Sequence, residues 1–154
     1  MRQLLFCLLI ATLLAGCNLC DSLERYSANY PNKEERIAAL AAEIQEASPM
    51  LDAEFKLHNV NGFSDCNIMV PGASYWHYVM AIKVAPENID AWLEGMEAVD
   101  SIPEHTAYIK MVVNPRPHYW YTESAPEYYQ RPEGNSTLIL HRPEGILYKS
   151  FSTD

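Results

Sequence analysis

Apolar positions change period along the chain, and each change marks an element. Ile37, Leu40, Ala41 and Ile44 recur at helical spacing and make one narrow apolar stripe. Asn32 stands at the N-cap with Glu35 at N3, a capping box, and Glu34 and Glu35 suit the positive end of the helix dipole. Ser48-Pro49 ends this first helix, because proline disfavours helical geometry in the residue before it. The period then falls to two around Asn61-Gly62, the dipeptide of a type I′ hairpin turn. A two-residue loop sets Val60 opposite Phe63, His58 opposite Asp65, Leu57 opposite Cys66 and Phe55 opposite Ile68. Phe55, Leu57, Cys66 and Ile68 then share a core-facing side.

Trp76, Tyr78, Met80, Ile82 and Val84 alternate through residues 74–84, which read as the central strand. Pro86 suits the first position of a second helix, with Ile89, Trp92, Leu93 and Met96 on its apolar side. Residues 107–113 (AYIKMVV) read as a strand closed by Asn114-Pro-Arg-Pro117. Arg-Pro-Glu-Gly occurs at 131–134 and again at 142–145, with proline presetting φ and glycine supplying positive φ. The second copy joins 137–142 to 146–151 as a hairpin, and the first launches that unit. The expected fold is α+β: one domain over 32–154, an antiparallel sheet of about five to six strands with two helices packed on one face.

The N-terminus has a different character. Met1-Arg2-Gln3 is a short basic start, and residues 4–15 (LLFCLLIATLLA) are apolar apart from Thr12. As a helix this run spans roughly 18 Å, short of the ~30 Å bilayer core, so it reads as the apolar region of a signal peptide over 1–16. It ends in Leu14-Ala15-Gly16-Cys17, which resembles the lipobox of bacterial lipoproteins. The resemblance is confined to residues 1–17. It implies cleavage before Cys17, which becomes a mature N-terminus carrying a diacylglyceryl thioether and an N-acyl chain. Several acyl chains together anchor durably where one is marginal. Residues 17–31 follow as the lipidated terminus and a tether. Asn18 is not the aspartate associated with inner-membrane retention, which leans the location toward the outer membrane.

The lipobox also changes how the cysteines read. Cys17-Asn-Leu-Cys20 has the form C-x-x-C, but a thioether-linked Cys17 cannot be a thiolate ligand. Cys7 leaves with the signal peptide, so Cys20 and Cys66 remain. In an oxidising compartment they could pair as a disulfide; the alternative is a buried Cys66 and a free Cys20 in the tether.

The chain carries 20 acidic and 11 basic side chains over 154 residues, a formal charge of −9. Loss of Arg2 with the signal peptide makes the mature body more acidic still. That balance argues against nucleic acid, whose phosphates need a basic footprint, and favours encounter with a basic partner. The apolar content excludes a mainly disordered chain. Candidate chemistry is sparse. His58, His77, His105, His118 and His141 show no metal-ligand spacing, so neither metal nor other cofactor is expected. Ser74 lacks a nucleophile elbow, and the His58–Asp65 pair has no third member. The densest aromatic stretch is 118–129, with Tyr119, Trp120, Tyr121, Tyr128 and Tyr129. It reads either as edge packing or as a recognition surface, because such rings dominate interface hot spots. The expectation is a non-catalytic, membrane-anchored, periplasm-facing module binding a protein partner, for instance by neutralising a toxin. The alternative is a structural or assembly role in an envelope complex, ahead of an envelope hydrolase.

Overall fold

The computed structural model describes residues 23–60, 74–102 and 105–153. The expected signal peptide, Cys17, Cys20, Cys66 and the Asn61-Gly62 turn lie outside the described residues. Among the described residues seven strands make one antiparallel sheet: β1 Leu23–Tyr26, β2 Met50–Val60, β3 Tyr75–Val84, β4 Glu97–Val99, β5 Glu127–Gln130, β6 Ser136–His141 and β7 Ile146–Thr153. Their spatial order is β1-β2-β3-β7-β6-β5-β4. Helix α1 spans Lys33–Ala41 and helix α2 His105–Val113, with 3-10 segments at Ser27–Asn29, Pro86–Leu93 and Pro117–Trp120. The α+β class holds, with more strands than the five to six expected.

Period-two alternation gives the sheet two faces, and both are covered. Phe55, Leu57, Met80, Ile82, Leu138, Leu140 and Leu147 point to the first face, where they pack with Leu40 of α1 and with Ile89 and Trp92. Val79, Ala81, Ile139, Ile146 and Tyr148 point to the second and meet Val112 and Val113 of α2 and Trp120. The two segments expected as helices, α1 and the one after Pro86, do pack on one face; the correction is a further helix, α2, on the other. The reason is that β3, β6 and β7 are apolar on both sides, and a sheet so composed must be covered twice.

The misread elements have local causes. Residues 107–113 are helical, because Tyr108, Ile109, Val112 and Val113 form the stripe that packs on the second face while Lys110 and Met111 stay outside. Their β-branched content imitates a strand. The segment after Pro86 is 3-10, not α; three residues per turn place Ile89 and Trp92 one above the other, both buried. Its apolar stripe was legible, its pitch was not. Part of the expected tether is β1, an edge strand held by an Arg25–Glu43 ion pair at 3.0 Å. Helix α1 starts where expected, although Asn32 Nδ2 donates to the Glu35 carboxylate at 3.1 Å instead of capping backbone, and α1 ends at Ala41, ahead of Ser48-Pro49.

The hairpin pairing expected across Asn61-Gly62 is also corrected. His58 lies opposite Glu24 on one side and His77 on the other, and Leu57 lies opposite Arg25 and Tyr78. Both edges of β2 are taken there, since a long antiparallel match with β3 from Met50 to Val60 buries more than a short hairpin could. The facing of Phe55 and Leu57 against Lys56 and His58 is as expected. Both Arg-Pro-Glu-Gly copies are turns between neighbouring strands, β5–β6 and β6–β7. Arg142 of the second copy forks onto Glu127 with two bonds of 2.9 Å and also pairs with Asp90, tying that turn to β5 and the 86–93 segment.

Candidate functional site

Residues 117–121 turn the aromatic stretch into an inside and an outside. The 3-10 turn drives Trp120 into the second-face core, at 4% exposure, where Tyr148 donates to its carbonyl oxygen at 3.1 Å. The flanking Tyr119 and Tyr121 are exposed at 56% and 72%. Tyr119 packs against His118 in a tilted pair with ring centroids 4.0 Å apart. Tyr128 and Tyr129 are half-buried on β5 and point to opposite faces, Tyr128 packing on the second and Tyr129 on the first. The five aromatics therefore do not form one surface: Trp120 is core, and the outward pair is Tyr119 with Tyr121. The 3-10 turn and its C-cap residue present both tyrosines outward.

What makes this turn firm is a buried ion cluster that no sequence spacing announces. Glu54, fully buried on β2, accepts from Arg116 Nη1 at 2.7 Å and from the Ser27 hydroxyl, and Arg36 Nε lies 3.7 Å away. Arg36 also donates to the Ala53 and Pro31 carbonyls at 2.9 and 3.1 Å and to Asp52 at 2.6 Å. Arg116 Nη2 donates to the Tyr30 carbonyl at 2.9 Å. β1 pairs with β2 only as far as Lys56. Across the edge beyond it, Arg36 from the first layer and Arg116 from the second converge on one carboxylate. A recess of about 380 Å³ beside this cluster has Arg36, Asp52, Arg116 and Tyr119 in its wall. The tyrosine pair is thus mounted on a charge-clamped corner, which lowers the ordering cost of any contact it makes.

Two constellations resemble catalytic sets in composition. Ser124 Oγ donates to Glu144 Oε2 at 2.6 Å, and the N–H groups of Glu123 and Ser124 donate to Oε1, each at 2.9 Å. These bonds, the Ser124 hydroxyl foremost, hold the Glu144 carboxyl at about 2. His141 Nδ1 lies 3.0 Å from the Ser124 carbonyl oxygen and 3.4 Å from Oγ. A carbonyl only accepts, so Nδ1 carries the proton and cannot take one from the serine. The arrangement is a loop tie. On the second face His58 lies between Glu24, 3.2 Å from Nδ1, and the Tyr75 hydroxyl, 3.0 Å from Nε2. Asp65, its expected partner, lies outside the described residues. Ser74 sits exposed ahead of β3. Among the described residues no three His, Cys, Asp or Glu side chains gather as a metal site.

Comparison of the chain with known protein families, with curated proteins and with solved structures finds no match.

Proposed function

We propose that this chain is a lipid-anchored lipoprotein of a bacterial envelope whose folded body is a non-catalytic binding module for a protein partner. The observation that carries the location is the ordered series of basic start, apolar run and Leu14-Ala15-Gly16-Cys17. Acyl chains on Cys17 hold the body at a membrane, facing the periplasm and leaning toward the outer membrane on the strength of Asn18. Binding through Tyr119 and Tyr121 is supported by their exposure on a clamped corner, since rigid tyrosines offer large contact area at low entropy cost. The acidic balance favours a basic partner, whose encounter rate would fall with salt.

Two variants test this reading. Cys17→Ser should abolish incorporation of labelled acyl chains and leave residues 1–16 attached; acyl labelling of the variant equal to that of the parent contradicts the anchor. Tyr119→Ala with Tyr121→Ala should weaken capture of a basic envelope protein, by crosslinked pulldown, about tenfold or more. The circular dichroism spectrum should stay unchanged. Equal capture by the double variant removes those rings from the interface.

A further inference from the structure

On the first face, an open cleft runs between the chain following α1 and the β5–β6 turn. It consists of adjoining hollows of about 400 and about 800 Å³ that share Ile44, Arg131 and Lys149, within the size range of small-molecule sites. Lys149 is out of place by the rules of the sheet. It stands in register with Met80 and Leu138, on the core-facing side, between Leu147 and Phe151 of its own strand. Its ammonium lies 5.9 Å from the centre of the Trp92 ring. Among the described residues, neither Lys149 nor Arg131 has a carboxylate within ion-pair distance. Burial, with the positive charge of Arg131, lowers the Lys149 ammonium below the ordinary lysine range. Two neighbouring cations thus lack an ion-pair partner among the described residues of a protein rich in carboxylates.

The rest of the lining gives direction. Trp76, Tyr78, Met80 and Phe151 make one end largely apolar, its one carboxylate, Glu43, being paired with Arg25, and Glu46, Glu94 and Glu133 make the other end acidic. Ser136, also in the apolar hollow's wall, has a buried hydroxyl with no hydrogen-bond partner among the described residues. We infer that this cleft binds an apolar monocarboxylate, with its carboxylate between Lys149 and Arg131 and its chain or ring against Tyr78, Met80 and Phe151. The acidic end disfavours a second negative charge and turns the apolar part away from itself. An uncharged ligand would leave the cations unpaired, so affinity depends on the head group and not on apolar area alone.

The experiment is calorimetric titration of the full-length protein with decanoate, 3-phenylpropionate and the corresponding alcohols. At least one carboxylate should bind, with its alcohol at least tenfold weaker; which acid binds tighter tells a chain from a ring. Lys149→Met should erase the preference for acid over alcohol, and Lys149→Arg should retain it with an unchanged thermal midpoint. Equal binding of acid and alcohol, a preference that survives Lys149→Met in a folded variant, or no binding of either acid overturns the inference.

Discussion

Replacing Glu54 with alanine should lower the free energy of unfolding by about 3–5 kcal/mol, the usual loss when one member of a buried ion cluster is removed. The carboxylate is fully buried and faces two guanidinium groups, from Arg36 on α1 and Arg116 after α2. Truncation leaves Arg116 without an anion among the described residues and beside the Arg36 charge, and it leaves the buried Ser27 hydroxyl without its acceptor. Arg36 keeps Asp52 and two carbonyls, whereas Arg116 keeps only the Tyr30 carbonyl of the partners described. The damage should therefore concentrate at the 114–121 corner. Urea denaturation gives the magnitude, and hydrogen exchange of the 114–121 amides gives the place. A loss under about 1 kcal/mol would mean that the cluster is no better than an exposed ion pair.

The second large effect separates the two glycines that end the two Arg-Pro-Glu-Gly copies. Gly145, at φ +63°, would place an added Cβ 2.2 Å from the Val84 carbonyl oxygen, and its own carbonyl accepts from Val84 N–H at 2.8 Å. Backbone atoms on both sides cannot yield, so Gly145→Ala should cost at least about 2 kcal/mol, the left-handed penalty plus the clash. Gly134, at φ +78°, would meet only the Gln130 side-chain amide at 3.6 Å. Gly134→Ala should therefore cost about 1 kcal/mol, the conformational term alone. Thermal melts of the two variants should differ clearly; equal midpoints would put the whole effect in φ and remove the Val84 contact from the account.

These two sites also show what could be seen in advance. The repeated Arg-Pro-Glu-Gly turns and the alternation of Trp76 to Val84 are local signals, and the structure follows them. Residues 107–113 failed because a short run of tyrosine, isoleucine and valine fits either period, and only the uncovered second face of the sheet decides between them. The Glu54 cluster gathers Ser27, Arg36, Glu54 and Arg116, whose separations follow from the path of the chain and not from any helix or strand period. Tyr119 and Tyr121 were visible as candidates, but the depth of Trp120 between them depends on a turn that the aromatic run itself does not encode. Lys149 carries a readable clue: it interrupts Leu147 and Phe151 on one parity, which becomes informative once β7 is known to lie inside the sheet.

The most direct test of the proposed anchor is mass spectrometry of the N-terminal tryptic peptide from protein extracted with native membranes. The account predicts a peptide that begins at Cys17, ends at Arg25, and carries the mass of the thioether-linked diacylglyceryl group and an amide-linked acyl chain. An unmodified peptide running from Gln3 to Arg25 would contradict it.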